Sequence, residues 1–517
     1  MNENSIHMVM RRTRVSSVES KETTLTDSEQ YDVVVIGGGS AAHEAAVASK
    51  AYGADRVLML EKAPEDESGG NARYSGTGFR FVFEPDEIPE ICDTPTADAE
   101  KLSIRPYSAQ NFLDDLNLVT QGRIDPEIAE VLVGDSNEAI RWAKAMGVSW
   151  ELQPGIWKDG RRHFSPGIPI HPLNLGNGMT NGLSQLTQWD RIAEGLGVEK
   201  RHRSKVIGFL GDETRIEGVI VKGPDGRRYE VRADAVIAAA GGFQANARMR
   251  AEYLGPNADI MKVRGSRHNT GEVLQMLLDL GAQPSGHWQG AHASPIDISA
   301  PPVESGDKVN RYSYCWGITV NELGQRFIDE GEAEISYTYA KTGWAVQRQP
   351  GSHAFQVGDQ KVWAQYRDEY KPTEAIWADT LEQLAQRMGV NEELFLETVR
   401  NFNAAIATEV AFDPTIRDGR RTAGLPVNKS NWSQAIDEGP FFAGHITGGV
   451  TFTFGGLKIN RDSQVLSVGG EPIPGLYATG DILGIFFHNY PSMTGQTRNL
   501  VFARRAGRHA ASLLPVR

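Results

Sequence analysis

The sequence predicts a mixed α/β fold, and three observations predict it. An apolar run near the start ends in a glycine turn that opens a small-residue helix; AVIAAAGGF (235–243) and GLYATGD (475–481) are further apolar runs ending in glycine turns; and residues 262 to about 424 differ in composition, being richer in Trp, Tyr and His. With 517 residues, 40% hydrophobic content and 55 glycines, the chain can bury an ample core as about three domains or one large composite.

The elements follow in order. Residues 1–29 mix Ser, Thr, Glu and Arg without an apolar core, so a disordered, solvated tail is expected there. Tyr31 to Ile36 reads as a buried strand, Ser40 to Ala51 as a helix and Val57 to Leu60 as a second strand, a β-α-β unit. Residues 109–147 carry apolar positions at helical spacing. Short strands are expected at Val206–Phe209, Ile216–Val221 and Tyr229–Val231, with polar turns such as GPDG between them. GEVLQMLLDLGA and LEQLAQRMGV read as helices of the central stretch, and ARRAGRHAASLL as a C-terminal helix.

Composition removes several function classes. The net charge of −13 argues against a nucleic-acid partner, because phosphate neutralisation needs clustered Lys and Arg. Two cysteines without C-x-x-C spacing indicate neither a zinc site nor a disulfide framework, and no metal ligand set is expected. That usage fits a cytoplasmic location. No apolar run reaches the length of a membrane span.

Gly37-Gly38-Gly39-Ser40-Ala41-Ala42 is a G-x-G-x-x-A turn between strand and helix. Gly37 permits the tight turn, Gly39 lets backbone approach a pyrophosphate, and Ala42 lets the helix close on the strand. The helix N-terminus offers free N–H groups to the phosphates. Glu61 ends the next strand, 22 positions beyond Gly39, where a carboxylate accepts from a ribose diol, with Lys62 beside it. The loop SGGNARYSGTG (68–78) contains Gly69, Gly70, Asn71, Ser75 and Gly76, and its backbone donors suit a flavin dinucleotide. Val206, Ala240-Gly241, Gly480-Asp481 and Gly495-Gln496 supply further contacts, Asp481 accepting from a ribitol hydroxyl. Together these point to FAD and a Rossmann-like FAD-binding domain.

The order GGGSAA, LMLEK, GGNARYSGTG, AAAGGF, NTGE, LGQRFIDE, GLYATGD and VFARRAG resembles the fumarate reductase/succinate dehydrogenase flavoprotein superfamily. YLGPNADIMKVRGSRHNTGE, GAHA, YTYAK, GVTFTFGGL and FFHNYP resemble its tricarballylate dehydrogenase-like branch. The resemblance implies an FAD-binding domain at 30–261 and 425–517, a parallel sheet with helices and a β-meander, interrupted by an α+β capping domain at 262–424. It implies hydride transfer between flavin N5 and a C–C bond beside an electron-withdrawing group, with a proton exchanged at the neighbouring carbon. The loop 68–78 holds no histidine, so the FAD is expected to be non-covalent.

By that resemblance His292 is a substrate-facing histidine, and Tyr339 and Lys341 lie where relatives carry a proton-shuttling arginine. His445, Thr451, Thr453, His488 and Tyr490 form the expected substrate-binding set. Tyr490 stands where fumarate reductases clamp a carboxylate with arginine, and Ser492-Met493 replaces a glycine pair, so a changed substrate is expected. Arg498 is expected as a surface salt-bridge partner. The leading reading is dehydrogenation of a small, tricarballylate-like polycarboxylate. A ketosteroid-type Δ-dehydrogenase or enoate reductase stands beside it, using Tyr490 and Gly495 as an oxyanion site. A non-catalytic electron-relay subunit is the third. Electrons are expected to leave through a separate acceptor protein or a quinone.

Overall fold

The structure, a computed structural model, describes residues 29–93, 99–176 and 179–514. The expected N-terminal tail lies outside these residues except for Glu29, which already belongs to the first strand.

That strand, β1 (Glu29–Ile36), is buried from Tyr31 onward and feeds α1 (Ser40–Ala51), and β2 (Val57–Leu60) is buried throughout. The helical stretch begins with α2 (Ala109–Thr120), whose first turn is closed by a reciprocal Ser108–Asn111 capping box. Next come α3 (Asn181–Gly195), β3 (Glu199–Arg201), β4 (Lys205–Asp212), β5 (Arg215–Lys222) and β6 (Arg228–Ala238). β6 fuses two runs that the sequence separates at Arg232 and Asp234, because one strand pairs with the meander at its start and with β1 along its length.

The central stretch supplies β7 (Lys262–Val263), β8 (Pro284–Asp297), β9 (Ile318–Val320), α4 (Ile335–Gln347), β10 (His353–Asp359) and β11 (Ala375–Ala378). The chain ends through β12 (Phe441–Leu457), β13 (Gln464–Leu466), β14 (Pro472–Ala478) and α5 (Thr494–Ser512).

Two large sheets result. The first has the order β13-β14-β6-β1-β2-β3, with β5 on β6 and β4 on β5; its β14, β6, β1, β2 and β3 pair in parallel. The second is built on β12, which pairs with β7, β8, β10 and β11. Its central strand thus comes from beyond residue 424, so the second sheet is not confined to 262–424. Fully burying each Val, Leu or Ile of β1, β2 and β6 contributes about 1.5–3 kcal/mol.

Close approaches explain the small residues. A Cβ on Gly507 of α5 would lie 2.6 Å from Ser49 N, so α5 rests directly on the alanine face of α1. Gly343 brings α4 against β8, where a Cβ would stand 2.5 Å from Ala293 O. That contact sets the depth of α4, whose tyrosines reach the site.

Candidate active site

A cavity of about 990 Å3 is lined by residues of both sheets. One arm gathers most of the expected dinucleotide contacts: Gly37, Gly39, Ser40, Ala41, Glu61, Lys62, Gly70, Asn71, Ser75, Gly76, Val206, Ala240, Gly241, Gly480, Asp481, Gly495 and Gln496 all line it. Gly37 has φ +130°, and a Cβ there would collide with Ala239 O. Gly39 caps α1 without a side-chain bond; the Ala42 N–H turns back to Gly39 O, and the Ser40 and Ala41 N–H groups are left to meet an anion. The first turn of α5, led by Met493, likewise has no side-chain cap. Two uncapped helix starts, a carboxylate at the end of β2 and a long cavity fit FAD.

Two residues of that set do not line the cavity. Ala42 is fully buried in α1, and Gly69, at φ +117°, packs toward Leu186 of α3. Asp481 does line it, but its carboxylate already accepts from Arg498, which is buried rather than at the surface. Asn71 bridges loops, donating to Thr451 O and accepting from Ser266 N at 3.0 Å. Lys62 is paired with Glu272 at 2.8 Å.

The other arm is an aromatic pole. Tyr339 from α4 and Tyr490 are hydrogen-bonded through their hydroxyls, and both line the cavity. Burial pushes the Tyr339 phenol well above its ordinary value, and Tyr490 adds to the shift. Burial likewise raises the Tyr490 phenol. Both therefore stand as protonated donors at neutral pH, not as ready bases. Tyr312 meets Tyr339 edge-on at 4.9 Å and shares a 2.9 Å hydroxyl contact with Ser294. Arg264 donates to Thr451 Oγ1 at 3.0 Å and to Asp307 at 2.6 Å. Gly495, in the first turn of α5, presents backbone beside the Tyr490 ring.

Thr451 reaches this pole because of a β-bulge. In the β8–β12 ladder His292 faces Phe452 and Ala293 faces Val450, so Thr451 is the extra residue. A bulge re-aims a side chain, here into the cavity. Thr453 lies past it, buried, with its hydroxyl accepting from Phe243 N at 3.4 Å.

Thr453 is one of five expected residues placed elsewhere. Lys341 is two residues beyond Tyr339 on one helix, a rotation of about 200°. It pairs with Glu332 at 2.6 Å and lines a separate cavity of about 410 Å3. His488 lines that same smaller cavity, its backbone N donating to His287 Nδ1 at 3.1 Å. His445 stacks on Phe355 at 4.4 Å and contacts His353 at 3.1 Å, remote from the aromatic pole. His292 lies behind the phenols, stacked on Phe452 at 5.3 Å and edge-on to Tyr339 and Tyr490. Burial holds its imidazole well below the usual range, and Arg264 pushes the same way.

Sequence reasoning missed Arg264, Asp307 and Tyr312. Arg264 precedes Gly265, whose φ of +154° and close approach to Asn71 mark a constrained turn, and Tyr312 sits in the aromatic run YSYCW. Also missed was a quartet on another wall. Asp115 Oδ2 accepts from buried Arg80 at 2.7 Å, Tyr107 at 2.5 Å and Tyr337 at 2.8 Å.

A probable fumarate reductase of Shewanella frigidimarina is 27% identical over 498 residues, 94% of this chain and 75% of that protein. The 4-oxocyclohex-2-ene-1-carboxylate 5-dehydrogenase of Sinomonas cyclohexanicum is 28% identical over 402 residues, 70% of this chain and 63% of that protein. The solved 3-ketosteroid-delta4-(5alpha)-dehydrogenase of Rhodococcus jostii RHA1 has a TM-score of 0.71 at 24% identity, covering 95% of this chain and 99% of that one, a likeness of fold. The family described as FAD binding domain matches residues 32–497. The chain belongs to that FAD-binding family and to the fumarate reductase/succinate dehydrogenase flavoprotein superfamily.

Proposed function

We propose that this FAD-dependent oxidoreductase acts on a C–C bond conjugated or adjacent to a carbonyl, in a ring ketone, an enone or an enoate. The carrying observation is the buried Tyr339–Tyr490 phenol pair, held protonated beside Gly495 at one end of the cavity. When bound, non-covalent FAD supplies the hydride acceptor or donor.

The chain's own groups do the rest. Tyr490, with the Gly495 backbone, donates to the substrate's carbonyl oxygen and stabilises charge as it grows there. Tyr339 holds Tyr490 in that role and, in the direction that saturates the bond, supplies the proton to the neighbouring carbon. Arg264 fixes Thr451 and orients the pole, its own charge balanced by Asp307. We assign the body built on the second sheet, including β12, to a cap that excludes water over the cavity. The acceptor of the electrons is taken to be a separate protein or quinone in the cytoplasm; no helix among the described residues is long and apolar enough to cross a membrane.

A tricarballylate-like polycarboxylate is the weaker fit. Two or three carboxylates need bidentate, uncompensated guanidinium donors. Here the cation beside the phenols is already committed to Asp307, and His445, His488 and Lys341 lie outside the pole.

Anaerobic titration, followed by visible flavin absorbance, tests the reading against ring ketones, enones (with the flavin pre-reduced), fumarate and tricarballylate. Oxidation or reduction of the flavin by the carbonyl compounds is expected. A flavin that responds to polycarboxylates alone refutes it.

A further inference from the structure

Within the substrate class just proposed, on which this inference rests, another part of the cavity wall carries its own recognition group. Asp115 of α2 lines the cavity and is 18% exposed. All three of its protein donors fall on one oxygen: Arg80 Nη1 at 2.7 Å, the Tyr107 hydroxyl at 2.5 Å and the Tyr337 hydroxyl at 2.8 Å. Oδ1 takes part in no hydrogen bond among the described residues.

The group is rigidly held. Arg80 is fully buried, donates through Nε to Ser492 O at 3.0 Å, and lies 5.5 Å and 5.2 Å from the ring centres of Tyr107 and Tyr337. α2 is anchored by its capping box, and Tyr337 rides on α4, the helix that also carries Tyr339. The carboxylate is therefore oriented before any ligand arrives, with one oxygen engaged and the other free.

We propose that Asp115 Oδ1 is a substrate-recognition site that accepts a hydrogen bond from a substrate hydroxyl distinct from the reacting carbonyl. Charge selects the donor type. Arg80 already balances Asp115, so the pair attracts a neutral hydroxyl in preference to an ammonium group. A site built to bond a substrate O–H also rejects the analogue that lacks it, because the acceptor is then left unpaired.

The proposal predicts an inversion on substitution. Arg80 has only donors, so in Asp115→Asn the amide oxygen must face Arg80 and the NH2 must face the cavity. An acceptor becomes a donor, and the preference should pass from hydroxyl to carbonyl ligands.

The test uses the FAD-loaded full chain and two ligand series: 4-phenylbut-3-en-2-ones with a para hydroxyl, hydrogen or acetyl group, and steroid 4-en-3-ones with a 17-hydroxyl, 17-hydrogen or 17-ketone. Binding is read from perturbation of the flavin absorbance, independently of turnover. In at least one series the wild type should bind the hydroxyl member roughly tenfold more tightly than the unsubstituted one. Asp115→Asn should favour the acetyl or ketone member, while Tyr107→Phe should keep the hydroxyl preference. Wild-type affinities that do not distinguish the three members in either series overturn the proposal, as does Asp115→Asn retaining the hydroxyl preference. Hydroxyl-selective binding without turnover counts against the proposed reaction and leaves the recognition site standing.

Discussion

Tyr490→Phe removes one oxygen from the aromatic pole and little else. The ring keeps its neighbours, with Phe452 at 5.2 Å, His292 at 5.2 Å and Phe486 at 5.4 Å between centres. What is lost is the hydroxyl contact with Tyr339, whose own buried O–H then lacks that partner. A buried polar group stripped of a partner costs about 1–3 kcal/mol, so the variant should still fold and bind FAD. The rate should suffer far more, because removing one donor from an oxyanion site costs about 10²–10³-fold. Tyr339→Phe is the companion, and the double variant should lose less stability than the two singles summed, since no orphan hydroxyl remains. Stopped-flow flavin reduction or re-oxidation with the best carbonyl substrate measures the rate, and thermal denaturation of the FAD-loaded protein measures the stability. Because burial raises both phenols above 10, no alkaline loss of rate from phenol ionisation should occur below about pH 10. A Tyr490→Phe enzyme within about fivefold of wild type would show that the phenol pair does not carry the reaction.

Lys341→Ala should leave flavin reduction unchanged and cost no more than about 1 kcal/mol, since it removes only an exposed pair with Glu332; a large rate loss would return Lys341 to the chemistry. Gly343→Ala should lower thermal stability by about 1–3 kcal/mol and slow turnover, because its Cβ presses on the β8 backbone and lifts α4 one turn from Tyr339; an unchanged melting temperature would refute that packing account. His445 is held down to about 4, mainly by burial, with His353 adding to it. Its folded value lies below the unfolded 6.5, so its contribution is present above about pH 6.5 and is lost as pH falls through about 4. Melting temperatures from pH 7 to 4 should therefore fall less steeply in His445→Gln than in wild type, and parallel curves would remove His445 as a cause.

Local chemistry was readable without a fold. The glycine turn at 37–39, the carboxylate at Glu61 and the small-residue helix between them specify a phosphate-binding β-α-β unit by steric and helix-terminus rules that act within about thirty residues. The same holds for the turns at Gly241 and Gly480, which end buried strands and reach the cavity as expected. β12 was not readable as the spine of a second sheet. It carries glycines at 444, 448, 449, 455 and 456, which propensity counts against a strand, and they are there because Pro372, Gln347, Ile296, Trp288 and the Ile482 backbone in turn pack directly against it.

The aromatic pole depended on geometry that no local pattern encodes. Tyr339 and Lys341 look equivalent in YTYAK, but one meets Tyr490 in the cavity and the other pairs with Glu332. Thr451 and Thr453 look equivalent in VTFTF, but a bulge separates their fates. Arg264 and Asp307 are 43 residues apart, and Asp115 and Tyr337 are 222 apart. Sequence alone determined the cofactor and the fold that holds it, because those contacts are short-range and made largely by backbone. Only the tertiary structure decided which side chains face the substrate, because charge pairing and side-chain direction there are settled between elements distant along the chain.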